Sequence, residues 1–71
     1  MIEHEELLKK IAINIRNARF LQKLSQEDLA EKSGLSVNFI SNIENAKQDV
    51  RLSSLVALAN ALSKDFSELF K

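Results

Sequence analysis

The chain has 71 residues, which is the length of one small domain. Apolar residues make up 45% and charged residues 28% of it, the balance of an ordinary soluble globular protein. The absence of cysteine excludes disulfides and thiolate metal sites, and no apolar run approaches the roughly 18 residues that a membrane span needs. Because the N-terminus is acidic where a secretory signal would be basic, we expect a single cytoplasmic domain over residues 1–71, with no membrane partner.

The composition leaves few side chains for catalysis. The one histidine, His4, stands among glutamates near the chain end, and a solvated surface position is the better interpretation of it. The acidic residues are scattered without metal-ligand spacing, and a single glycine, Gly34, cannot form a phosphate-binding loop. The sequence therefore predicts no enzyme, no cofactor, no metal site and no small-molecule ligand.

The formal net charge of the chain is zero. Phosphate neutralisation supplies much of the affinity of nucleic-acid binders, which usually carry a basic excess. A DNA-binding role would therefore need a local basic or amide-lined face, with the help of a second subunit.

The first half of the chain reads as helical, since proline is absent and the alternation typical of strands is missing. The first predicted helix runs from about Glu3 to Gln22, with apolar residues at three- and four-residue steps. The second begins after the N-cap Ser25 and ends at Gly34, where a left-handed residue would close it.

Three more helices are predicted in the second half. Ser36 is the N-cap of a third helix over about Val37 to Glu44, and a polar loop then leads to a fourth over about Leu52 to Leu62. A short fifth helix opens at Asp65, with Glu68 three residues on to complete a capping box. The sequence thus predicts an all-α domain of five helices.

The segment from Ser25 to Asn45 places two short helices around a tight turn, the helix-turn-helix arrangement whose second helix can enter a DNA major groove. At about 100° per residue, one side of this second helix carries Phe39, Ile40, Ile43 and Glu44. The other side carries short uncharged residues, the amide stripe: Val37, Asn38, Ser41 and Asn42. Asparagine can bond bidentately to adenine, serine to several base edges, and valine can contact a thymine methyl. From the stripe alone, base reading and mere capping of a short helix remain equally open.

A family resemblance adds to the evidence for DNA binding. The segment from Leu24 to Asn45 resembles the core of the Cro/phage-repressor (XRE) family of helix-turn-helix regulators, through the string Ser-Gln-Glu-x-Leu-Ala…Gly-Leu-Ser…Ile-Ser-x-Ile-Glu. The similarity extends over about residues 8 to 71. It implies a lambda-repressor-like domain, with the helix-turn-helix at helices 2 and 3, that regulates transcription by binding a two-fold symmetric double-stranded DNA operator as a homodimer. Among stand-alone members, the chain is similar to Cro-like repressors, antitoxins and restriction–modification controller proteins.

The resemblance also implies roles for individual residues. The amide stripe would read bases, and four residues would bind DNA phosphates: Gln26, Ser36, Asn45 and Lys47. Gln26 would in addition brace the recognition helix. Arg19 and Glu44 match a pair that links the first helix to the end of the third. We interpret them as a structural ion pair in preference to a DNA contact.

Some positions depart from the family pattern. Lys23 and Ser63 stand where glycine often closes the first and fourth helices, and Asn45-Ala46 replaces a loop that commonly contains glycine. A lysine in the left-handed conformation costs about 1 kcal/mol, so we expect a looser or differently shaped turn at Lys23. Val37 stands where controller proteins often carry a basic residue, which disfavours that sub-family.

The C-terminal helix is the predicted dimer interface, and its large apolar residues are Phe66, Leu69 and Phe70. Some of this surface must close the monomer core. We expect Phe66 and Leu69 in the core and Phe70 at the interface.

A rival interpretation is a protein-interaction module, such as an antitoxin, built on a helix-turn-helix domain. Zero net charge slightly favours this rival, whereas the amide stripe and Gln26 favour DNA.

Overall fold

The computed structural model describes residues 3–71, and over these residues it consists of four α-helices followed by one 3₁₀ helix. The elements are α1 (His4–Leu21), α2 (Gln26–Ser33), α3 (Val37–Glu44), α4 (Leu52–Ala61) and the C-terminal 3₁₀ helix (Phe66–Phe70). The all-α prediction is confirmed, but the fifth element is not an α-helix. At its start, the Glu68 N–H donates to the Asp65 carbonyl three residues earlier, which is the hydrogen-bond step of a 3₁₀ helix.

Local side-chain bonds set the limits of α2 and α3. Ser25 and Asp28 form a capping box at the start of α2, in which each side chain bonds the other's backbone N–H at 2.9 Å. The Ser36 hydroxyl accepts from the Phe39 N–H at 3.0 Å and so caps α3. Gly34, with φ of 75°, adopts the left-handed conformation that closes α2. The predicted limits of both helices are therefore confirmed.

The other three α-helices end on a left-handed residue that is not glycine: Lys23, Ala46 and Ser63, with φ between 55° and 58°. At each end, the next N–H returns to the carbonyl five residues earlier at 2.9–3.0 Å, which is the Schellman motif. The expectation of a looser turn at Lys23 is wrong. Its backbone keeps the geometry that glycine would adopt, because the Schellman bonds fix it despite a cost of about 1 kcal/mol.

One core joins all five elements. α1 packs against α3 and the 3₁₀ helix, α2 packs against α3 and α4, and α4 packs against the 3₁₀ helix. The core is formed by buried apolar residues: Ile11, Ile15, Ala18, Leu29, Ala30, Ile40, Ile43, Leu55, Leu58, Ala59, Leu62 and Leu69. The apolar side of α3 therefore packs against α1 and α2, and its other side faces the surface. Within residues 3–71, no helix has the length and apolar character to cross a membrane.

Candidate nucleic-acid interface

The amide stripe lies on the side of α3 that faces away from the core. Ile40 and Ile43 are buried on the inner side, and Phe39 packs against the core. Across the helix, Val37 is 40% exposed, Asn38 is exposed, and Ser41 and Asn42 are half-buried. Because these four side chains are short and uncharged, the helix can approach a base edge closely and offer it donors, acceptors and a methyl contact.

Two asparagines near the end of α3 also bond within the protein. Asn42 Nδ2 donates to Gln48 Oε1 at 3.0 Å, and Asn45 Nδ2 donates to the Ser41 carbonyl at 2.8 Å. An asparagine amide offers two N–H donors and one acceptor oxygen. Each of these side chains therefore keeps its Oδ1 and one N–H for a further partner.

The four candidate phosphate-binding residues lie at the two ends of the stripe. Ser36 caps the amino end of α3, while Asn45 and Lys47 follow its carboxyl end, and all three are exposed. Gln26 is the first residue of α2, and its Nε2 lies 3.2 Å from a carboxylate oxygen of Glu44, the last residue of α3. Helix N-termini such as those at Ser36 and Gln26 favour phosphate, because free N–H groups and the helix dipole point at it.

The predicted ion pair between Arg19 and Glu44 is present and buried, the two residues being 7% and 4% exposed. Arg19 Nε donates to Glu44 Oε2 at 2.7 Å and Nη2 to Oε1 at 2.8 Å, a bidentate geometry. Nη1 of the same guanidinium donates to the Leu24 carbonyl at 2.8 Å. The pair therefore ties α1, the turn before α2, and the carboxyl end of α3 together.

The charge of Glu44 is maintained against burial. Burial alone raises the pKa of this carboxyl group, but the hydrogen bonds from Arg19 and Gln26, with the charges of Arg19 and Arg16, outweigh it. The pKa of Glu44 consequently lies below its usual value. The hydrogen bond to Glu44 in turn raises the pKa of Arg19. Both groups stay charged throughout the neutral pH range.

Arg16 is a further charged residue at this site. Its Nη2 donates to the Glu44 carbonyl at 3.1 Å, its Nε lies 3.8 Å from Glu44 Oε1, and its side chain is 45% exposed. Two arginines around one carboxylate give this corner a charge of +1, although the chain as a whole is neutral. The sequence could have indicated Arg16 as a site residue, since residues 16 and 19 are neighbours on a helix surface. No sequence pattern indicates Gln48 as a site residue.

The C-terminal aromatic residues differ from expectation. Leu69 is 1% exposed, so its expected place in the core is confirmed and it has no surface for an interface. Phe66 is 36% exposed, so its expected place in the core is wrong, while Phe70 is half-buried against the core. The two rings lie edge to face at 5.0 Å, and Phe70 is the one that the core covers, which leaves Phe66 on the outside. Phe66 therefore offers more apolar surface to a partner than Phe70.

His4 is exposed and bonds Asp49 Oδ1 through Nε2 at 3.1 Å. This bond, followed by one from the Val50 N–H, lowers the pKa of Asp49. In the part of the chain that the structure describes, no group of three histidine, aspartate or glutamate residues is placed to hold a metal ion.

Comparisons with known proteins agree with this geometry. A helix-turn-helix family model matches residues 15–69. The control protein C.SmaI of Serratia marcescens is 42% identical over 59 residues, which cover 83% of this chain and 70% of that protein. The crystal structure of the restriction-modification controller protein C.AhdI from Aeromonas hydrophila has a TM-score of 0.86 at 36% identity, covering 89% of this chain and 96% of that one. The controller protein C.Esp1396I, as a tetramer in complex with its natural 35 base-pair operator, has a TM-score of 0.80 at 32% identity, covering 92% and 96%. The chain is thus similar to controller proteins despite Val37.

Proposed function

The chain belongs to the helix-turn-helix family of DNA-binding transcriptional regulators, and we propose that it acts in the cytoplasm on a two-fold symmetric operator, as a homodimer. The proposal depends on the two sides of α3. The apolar side is anchored in the core, and the outer side is a stripe of short amide, hydroxyl and methyl groups. A merely solvated helix face would more often carry lysine and glutamate. Since C.SmaI, C.AhdI and C.Esp1396I are named as control or controller proteins, we infer a controller role for this chain as well.

In this proposal, the amide stripe reads bases and the groups at its two ends hold phosphates. Gln26 and Ser36 would bind through helix N-termini, and Asn45 and Lys47 through exposed side chains. The half-exposed Arg16 would add a cation beside the carboxyl end of α3. A local positive charge of this kind supports DNA binding by a chain whose net charge is zero, because phosphate contacts are made at the interface and not over the whole surface.

A homodimer would double both kinds of contact. One recognition helix reads only a few base pairs, and two copies roughly 34 Å apart would read two half-sites one turn of DNA apart. A two-fold interface needs an apolar, self-complementary surface. Phe66, with the half-buried Phe70 beneath it, supplies the candidate at the C-terminal 3₁₀ helix.

Selection of binding sites from a random duplex pool tests the proposal. We expect enrichment of a two-fold symmetric consensus, and the absence of any enriched sequence would overturn the DNA-binding function. Asn38→Ala and Asn42→Ala should each lower specific affinity by about 1–3 kcal/mol, the contribution of a bidentate base contact, with the melting temperature changed by only a few degrees. Asn17→Ala, at an exposed position on α1, is the matched control and should bind as the wild type does. An equal loss of specific and random DNA binding by Asn42→Ala would make Asn42 a backbone contact.

A second candidate function, the protein-interaction module, is favoured by one observation. Phe20 and Leu21 at the end of α1 are 60% and 81% exposed, on a helix outside the stripe. Apolar surface of this kind is typical of a protein contact. The salt dependence of binding to random duplex separates the two functions, because a DNA binder loses affinity steeply between low and moderate salt. Negligible affinity for random duplex DNA at low salt would favour the interaction module.

A further inference from the structure

We propose that residue 48 holds the Asn42 amide against the loop after α3, and that the hydrogen-bonding groups at this position determine which end of the amide is turned toward DNA. Gln48 would thus be a positioning residue that acts on specificity through a neighbour. The inference rests on the proposed DNA-binding function and adds a specificity determinant in the loop after the recognition helix.

The end of α3 explains how Gln48 reaches Asn42. Ala46 takes the left-handed conformation with φ of 55°, and the Lys47 N–H returns to the Asn42 carbonyl at 2.9 Å. This Schellman turn folds the chain back over the last turn of the helix. Gln48 comes next, and its Oε1 accepts from Asn42 Nδ2 at 3.0 Å, with both side chains half-buried.

In this structure the bond holds the Asn42 amide by its Nδ2. With Nδ2 held by the loop, the acceptor Oδ1 is the end turned away from Gln48, and one N–H of Nδ2 remains beside it. An acceptor matches the amino groups of adenine and cytosine in the major groove, and an acceptor with an adjacent N–H matches adenine N6 and N7. A reversed amide would present its NH₂ group, which matches the acceptors of guanine and thymine. Because the Gln48 amide has both an acceptor and donors, it can hold Asn42 in either direction, whereas a residue with only acceptors or only donors at position 48 would select one.

Three substitutions of Gln48 separate the possibilities. Gln48→Glu offers only acceptors, so it should hold Asn42 by Nδ2 and narrow the preference at the base pair that Asn42 reads to adenine or cytosine, although its charge lowers affinity for all sequences. Gln48→Met removes the hydrogen bond at similar size and should weaken base discrimination at that pair, by about fivefold or more for a bidentate contact. Gln48→Lys offers only donors, so it should reverse the amide and shift the preference toward guanine or thymine.

Site selection and competition binding are carried out for the wild type, the three variants, and the same variants in an Asn42→Ala background, with thermal melts as a check on folding. The expected result is a change at one base pair per half-site that disappears in the Asn42→Ala background. Unchanged preferences in Gln48→Met and Gln48→Lys would overturn the inference, as would a loss of affinity in Gln48→Met that is uniform over all positions. The same change in the Asn42→Ala background would mean that Gln48 itself reads a base. A wild-type protein that enriches no sequence would instead overturn the proposed function, and this inference with it.

Discussion

Arg16→Ala and Arg19→Ala remove two arginines that face the same carboxylate, and we expect them to differ sharply in their cost to folding. The Arg19 side chain is 9% exposed and its Nε lies 2.7 Å from Glu44, whereas the Arg16 side chain is 45% exposed and its Nε lies at 3.8 Å. The Glu44 side chain is only 1% exposed. Without Arg19 it would be a buried carboxylate that has lost its bidentate partner.

The magnitudes follow from burial. Breaking a buried ion pair by removing one partner costs about 3–5 kcal/mol, whereas a largely exposed pair contributes at most about 1 kcal/mol. At roughly 0.05–0.15 kcal/mol per residue, a chain of 71 residues has a free energy of unfolding of about 4–11 kcal/mol. Arg19→Ala should therefore remove about a quarter or more of the total stability and can unfold the domain. Arg16→Ala should lower the melting temperature by no more than about 8 °C, at about 4–8 °C per kcal/mol.

Thermal and urea unfolding, followed by circular dichroism, measures both variants. An apolar double variant, Arg19→Met with Glu44→Leu, should recover most of the loss, because no charge is then left buried without a partner. Melting of Arg19→Ala in the same range as Arg16→Ala would refute the cost assigned to the stranded carboxylate. A double variant as unstable as Arg19→Ala would refute it as well, since the loss would then come from packing or from the lost bond to the Leu24 carbonyl.

Three further predictions concern pH, the helix ends and the interface. Because the pKa of Glu44 is lower in the folded chain than in the unfolded one, its contribution to stability is present above the unfolded value of about 4.3 and is lost as the pH falls through the folded value. The melting temperature should hold near neutrality and drop below about pH 4, and a rise on acidification would contradict this. Lys23→Gly should raise stability by up to about 1 kcal/mol in urea melts, since glycine adopts φ of 58° without strain but loses more chain entropy on folding, and no gain would show that the turn is unstrained. Phe66→Asp should sediment as a folded monomer with weakened operator binding, whereas Phe20→Asp, at a more exposed phenylalanine on α1, should remain a dimer; a dimeric Phe66→Asp would place the interface elsewhere.

The local features of the helix-turn-helix were predictable from the sequence. Ser25 and Ser36 cap their helices through bonds to residues three positions on, and Gly34 closes α2 through its own backbone freedom. The periodicity of α3 likewise separates an apolar side from the amide stripe. All of these depend on neighbours within one helical turn, so the order of residues along the chain is sufficient to specify them. The pair of Arg19 with Glu44 was reached only through the family resemblance, because 25 positions separate its members.

Other features were decided only by the three-dimensional structure, because they depend on contacts that no sequence pattern indicates. The place of Gln48 beside Asn42 follows from the loop turn at Ala46, which no residue pattern indicates. Phe66 and Phe70 are equally apolar in sequence, and only the packing of the 3₁₀ helix against α1 and α4 determines which ring is covered. Local hydrogen bonds and periodicity thus set the helices, whereas the burial that orients the site arises only when all five elements share one core.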